Sequence, residues 1–308
     1  MNVNRLMRHV GRYVPAYSLI EKSMNKSVNK GYYRNRLSEV GLVDSDMLIV
    51  GTVARSGTHY AMLLLANYIA HSAGQKDGYS PSEMNDLFPN NWHLSYLNYH
   101  NIPFGPYNNR SIAVPDKRIN CLGVNEITRS HAVFQRVFWK NSKVLHLYRN
   151  PLDYSVSLYN YKHKKRPDLP DRLASPNDVL ELKFENYVAM YKSYVQAARS
   201  GKYRLFRLAY EELIRSPEFY LDAILRWMGL EPSADIVVKA VESSSIKRTK
   251  EQEAKGSVVN PTALGLKGSF ISSGVVGQWR SHYSDSEFRY WEQKFESEGI
   301  NLNSFILE

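Results

Sequence analysis

Apolar positions fall along this chain in two alternating rhythms. Residues 47–53 (MLIVGTV) are apolar and β-branched without the polar alternation of a half-exposed strand, so they read as a strand buried on both faces. A mostly apolar stretch from 57 to about 73 follows as a helix. Residues 143–148 (KVLHLY) repeat the strand pattern. Asn150, Pro151 and Asp153 then suit the N-cap, N1 and N3 positions of a helix running to about 162. Ser175, Pro176 and Asp178 give the same start signal. The helix they open carries Leu180, Phe184, Tyr187, Val188, Tyr191, Val195 and Ala198 at helical spacing, with Gly201 as its stop. Residues 203–210 read as a strand, and Ser216 and Pro217 open a helix that ends at Gly229. Strands alternating with helices predict an α/β fold: a central, mostly parallel sheet with helices on both sides and ligands at the carboxyl ends of the strands.

The interruptions add to this picture. Residues 74–118 are rich in Asn, Pro, Gly and Tyr, too long for a simple connection and too aromatic for a linker, and they read as an ordered acceptor-binding excursion. Residues 1–40 form a basic segment. No apolar run reaches the ~18–20 residues of a membrane span, and residues 1–30 lack the apolar core of a signal peptide. With a single cysteine, Cys121, in 308 residues, a disulfide framework is excluded and a soluble, cytoplasmic protein is expected. No cluster has metal-ligand spacing. The net charge of +10 (40 Lys and Arg against 30 Asp and Glu) favours an anionic partner without choosing one.

The turn between the first strand and helix makes that choice narrower. Arg55, Ser56, Gly57, Thr58 and His59 lie where the free N–H groups and positive dipole end of a helix form an anion site, and Gly57 allows close backbone approach. The spacing is not that of a nucleoside-triphosphate P-loop: Gly51 and Gly57 are separated by five residues and no lysine precedes Thr58. The dinucleotide fingerprint is also absent. At residues 149–157 (RNPLDYSVS), Arg149 ends a strand and Ser157 falls two turns along the next helix, so that both reach one phosphate beside it.

These blocks resemble the 5′-phosphosulfate loop and the 3′-phosphate motif of sulfotransferases that use 3′-phosphoadenosine 5′-phosphosulfate (PAPS), with Ala54 in place of the usual proline. The resemblance implies one P-loop-like, three-layer domain over residues 1–308, a cofactor lid at 247–280, and adenosine 3′,5′-bisphosphate (PAP) as product. It implies that Tyr60 and Tyr210 contact the adenine, with Ser244 and Ile246 near the base. Residues 273–279 (SGVVGQW) are similar to the family's Gly-x-x-Gly-x-Trp closing loop, where Gly274 and the Ser272 and Ser273 hydroxyls face the 3′-phosphate. Here the chain departs from the pattern, because Ser272 and Ser273 stand where an Arg-Lys pair is usual; Arg248, Lys250 and Lys267 are candidates for the missing charge. His131 in "TRSHAV" takes the family's base position and Arg129 its lysine position, with Glu126 and Glu83 as fallback bases. Arg55 neutralises the leaving phosphate. The acceptor is then a hydroxyl, or an amine, of a small molecule, lipid or glycan, and no nucleic acid is expected. The basic N-terminus leaves peripheral membrane contact open. Three other readings also stay open: a sulfotransferase-like nucleotide binder without turnover, a nucleotide kinase, and a basic nucleic-acid-binding protein.

Overall fold

The structure is a computed structural model that describes residues 47–81, 83–84, 122–124, 126–131, 133–134, 139, 141–161, 173–254 and 274–305. The basic segment 1–40, most of 74–118, residues 255–273 of the expected lid, and Ser272, Ser273 and Lys267 lie outside them.

Four strands form one parallel sheet: β1 (Met47–Thr52), β2 (Glu126–Ser130), β3 (Lys143–Tyr148) and β4 (Arg204–Ala209), in the order β2-β1-β3-β4. β1 and β3 are the buried apolar runs expected. β2 was not expected, and the reason is its composition: in EITRS only Ile127 is apolar, yet Arg129 and Ser130 are buried. Because β2 and β3 flank β1 on opposite sides, the chain reverses direction across the sheet at β1, and such a switch point opens a crevice at the carboxyl ends.

The helices are α1 (Thr58–Ser72), α2 (Pro151–Asn160), α3 (Pro176–Arg199), α4 (Tyr210–Arg215), α5 (Pro217–Trp227), α6 (Ala234–Ser243), α7 (Ile246–Ala254) and α8 (Asp285–Ser297). Both faces of the sheet are covered. Leu48, Val50, Leu145 and Leu147 pack with α1, α5 and α6, whereas Ile49 and Val144 pack with α2, α3 and α8. The predicted caps form at α2, where Asn150 Oδ1 accepts from the Leu152 and Asp153 N–H groups, and at α3, where Ser175 and Asp178 make a capping box. Ser216 precedes α5 as expected but its side chain caps nothing.

Two details differ from the sequence pattern. On the last turns of α3 the buried residues are Tyr194 and Ala197, not Val195 and Ala198. The stripe follows the fold there: Tyr194 stacks on His146 and its hydroxyl sits where a Gly51 side chain would be. The fourth strand is also shorter than predicted, because Tyr210 begins α4.

Candidate active site

Register sets the site. Gly51 is level with Ser130, Thr52 with Leu147, and Tyr148 with Ala209, so residues 53–57, His131, Arg149 and Tyr210 all leave the sheet at one edge.

The loop after β1 is tightly turned. Arg55 is the one non-glycine residue with positive φ among the described residues (72°), and Gly57 follows at 89°. A bulky residue in the left-handed region costs about 1–2 kcal/mol, so the surrounding fold has to impose it. The imposing contacts are visible. Arg149 Nη1 donates to the Arg55 carbonyl at 3.1 Å, and the Ser56 N–H donates to the Val53 carbonyl at 3.2 Å. A Cβ on Gly57 would fall inside the Tyr210 ring, which leaves glycine as the residue that fits. Inside this turn the Ser56 hydroxyl is 0% exposed and has no hydrogen-bond partner. A buried unpaired hydroxyl is costly, and a bound anion is the guest that would satisfy it.

The second arginine sits at the end of β3. Arg149 is 5% exposed, its Nη2 reaches the Val275 carbonyl at 3.4 Å, and its guanidinium lies 4.6 Å from the centre of the Tyr210 ring. Its Nε has no partner. Tyr187 donates to the Arg149 carbonyl and fixes the backbone there. Arg55 Nε approaches Ser157 Oγ at 3.5 Å, and the Arg55 guanidinium lies 4.8 Å over Tyr161. Thus the 5′ turn and the 3′ block, far apart in sequence, share one wall. Tyr210, 7% exposed, is a wedge between them.

His131 and Arg129 enter from β2. His131 Nδ1 lies 2.8 Å from the Thr52 carbonyl and 3.1 Å from Thr52 Oγ1, which is itself 2.6 Å from Thr58 Oγ1. A carbonyl only accepts, so Nδ1 carries the proton and the lone pair is on Nε2. Burial and then the Arg129 charge lower the His131 pKa to about 4, against the opposing effect of the Thr52 bond. The ring is therefore neutral at physiological pH, the form a base requires. Arg129, 4% exposed, donates from Nη1 to His59 Nε2 at 2.8 Å.

A sulfotransferase domain model matches residues 44–298. The chain belongs to the sulfotransferase family. It is 23% identical to human sulfotransferase 2B1 over 180 residues, 56% of this chain and 49% of that protein, so the match spans about half of that relative. To rat sulfotransferase 1C2 it is 26% identical over 204 residues, 62% of this chain and 68% of that protein. Its fold is similar to that of retinol dehydratase in a complex with androsterone and PAP, at a TM-score of 0.58 and 17% identity, covering 82% of this chain and 80% of that one.

On this sulfotransferase fold the remaining expected residues divide. Gly274 (φ 68°) lies against Ile246, whose Cδ1 occupies the place of a Gly274 side chain, so the start of α7 meets the closing loop. Tyr60 is half-buried, and burial followed by Tyr210 raises its pKa to about 12. Ser244 is turned elsewhere: its hydroxyl donates to the Ala240 carbonyl and accepts from Asn67 Nδ2 at 2.8 Å, joining α6 to α1. Arg248 donates to the Asp77 carbonyl and lies 3.7 Å from the Asp77 carboxylate, so its guanidinium is engaged there. Glu83 accepts from the N–H of Ser80 at 2.7 Å, and the Glu126 side chain is outside the described residues.

Two contributors escaped the sequence. The Asp153 carboxylate accepts from the Gly277 N–H at 2.6 Å and the Trp279 N–H at 3.0 Å, tying the closing loop to α2. Glu211 Oε1 accepts from the Asn150 N–H at 2.9 Å, and burial raises its pKa to about 7. Asp153 had read only as a helix-start acid. Glu211 carried no distinct signal.

Proposed function

We propose that this chain transfers a sulfuryl group from PAPS to a hydroxyl of a small-molecule acceptor, with His131 as the base. The observation that carries this reading is the His131–Thr52 hydrogen bond: it fixes the tautomer that leaves Nε2 as proton acceptor at the edge of the anion-binding turn.

The residues fit the donor. Ser56 and Arg149 are buried groups with unpaired polar atoms, which supports giving each of them one of the two phosphates. Arg55, Ser56, Gly57 and Thr58 would hold the 5′-phosphosulfate, and Arg149 and Ser157 the 3′-phosphate. Tyr60, Tyr210, Ile246 and Gly274 would line the approach to the adenine, and Ser272 and Ser273, which lie outside the described residues, are proposed as donors to the 3′-phosphate. Ser244 supports that wall from behind. When bound, PAPS supplies a sulfuryl group already activated by its phosphate leaving group, so the protein's work is alignment, proton removal and charge stabilisation. His131 Nε2 takes the acceptor proton, Arg129 stabilises charge on the sulfuryl oxygens, and Arg55 stabilises the departing phosphate.

The retinol dehydratase structure is a complex with androsterone and PAP, which supports an apolar hydroxylated acceptor here; residues 74–118 are its proposed seat. Among the described residues no helix is long and apolar enough to cross a membrane and no group of side chains could hold a metal. The test is incubation with sulfur-labelled PAPS and a panel of hydroxysteroids, retinoids and phenols. Label should move to at least one hydroxyl, with PAP released in equal amount. Transfer of phosphate from ATP with magnesium, and none of sulfate, would replace this reading with the kinase.

A further inference from the structure

The guanidinium at position 129 raises a problem of orientation. An ammonium group is a compact charge whose donors rotate freely, whereas a guanidinium presents its donors in a fixed planar fork and works only when the plane is aimed. Arg129 belongs to β2, the strand next to β1, and its Nη1 is 2.8 Å from Nε2 of His59, the second residue of α1. An arginine nitrogen is a donor only, so Nε2 of His59 is the acceptor and the His59 proton is on Nδ1. Burial, then the charges of Arg129 and Arg55 and the neighbouring His131, hold His59 well below its ordinary pKa, which keeps Nε2 in the accepting form. Both partners are set by regular structure: α1 begins at the Gly57 turn, and β2 is locked to β1 by register.

We infer that His59 is a positioning residue: it fixes the Arg129 guanidinium where the sulfuryl group binds and thereby sets the preference of the site for the sulfated over the unsulfated nucleotide. This rests on the proposed function above. It assigns the Nε2 side of His59 an indirect part, since that nitrogen accepts from Arg129 and does not donate to a phosphate oxygen.

Calorimetric titration of the full chain with PAPS and with PAP tests the assignment without an acceptor. His59→Ala should weaken PAPS binding roughly tenfold relative to PAP binding, the scale of one hydrogen bond to a charged group. His59→Gln, whose amide oxygen accepts at the Nε2 position, should recover most of that change. Arg129→Ala should lose the same preference, and adding His59→Ala to it should change the ratio little further, because the two residues act as one unit. His59→Asn, whose amide is too short to reach Arg129, serves if His59→Ala does not fold. An unchanged PAPS-to-PAP ratio in the alanine or asparagine variant, or equal weakening of both ligands, overturns the inference alone. A wild-type chain that binds neither nucleotide overturns the reading of the site and the inference with it.

Discussion

Arg149→Ala should weaken recognition of the 3′-phosphate far more than that of the 5′ group, although it also releases the Arg55 carbonyl. Arg149 is buried, braced by the Arg55 and Val275 carbonyls and the Tyr210 ring, and has an unpaired Nε. A phosphate there gains charge-assisted hydrogen bonds of about 1.5–3 kcal/mol each, and loss of two contributes about 3 kcal/mol, near a 100-fold change in affinity. Thermal unfolding reads this directly. At 100 times its dissociation constant PAP stabilises the wild type by about 2.7 kcal/mol, which for 308 residues, at about 2.1 cal/mol/K each, moves the midpoint by about 4 °C. At the same PAP concentration the variant has about one dissociation constant of ligand, about 0.4 kcal/mol, and shifts by less than about 1 °C. Adenosine 5′-monophosphate, which has no 3′-phosphate, should lose far less of its shift in the variant than PAP does, its loss being limited to the freed Arg55 carbonyl. The reasoning is refuted if the variant folds and still responds to PAP as the wild type does, or loses its response to both nucleotides equally.

Two further predictions concern the supporting acids. Glu211 has a folded pKa of about 7, above its unfolded value of 4.5, so its contribution to stability is greatest below 4.5 and is lost as pH rises through 7. Glu211→Gln keeps the oxygen that accepts from Asn150 and removes the charge; in denaturant titrations it should be up to about 3 kcal/mol more stable than wild type at pH 8, the gain vanishing near pH 4.5, and a pH-independent difference would contradict the assignment. Asp153→Ala frees the Gly277 and Trp279 N–H groups and should cost about 2–4 kcal/mol of stability, with a larger loss of affinity for PAP than for the 5′-monophosphate. Equal losses for both ligands would show that the closing loop has no part in the 3′ site.

Local signals in the sequence recovered the scaffold wherever the chain's preference and its environment agree. β1 and β3 are apolar because both faces are covered, and the caps at Asn150 and Ser175 use short-range chemistry that any local reading detects. β2 hid because its composition is polar: Arg129 and Ser130 are buried polar residues in a strand, and the burial of Arg129 is offset by His59 of α1. The turn at 55–59 and the block at 149–157 were legible as separate motifs, whereas their junction was not. The contact of Arg149 with the Arg55 carbonyl spans 94 residues, and the Asp153 contacts span 124 and 126, distances over which spacing carries no information. Ser244 shows the opposite limit, since it sits at the position matching the family's pattern but its hydroxyl is committed to Asn67 of α1 and the Ala240 carbonyl.

The most direct test of the account is His131→Gln in the PAPS transfer assay, run beside PAP titration and a pH profile of the wild type. The variant should bind PAP as the wild type does and lose transfer by at least about 100-fold. In the wild type kcat/KM, which reports the free enzyme, should fall on acidification only as pH approaches the His131 value of about 4. Retained turnover in a variant that binds PAP normally would show that another group takes the acceptor proton, and the central claim would fail.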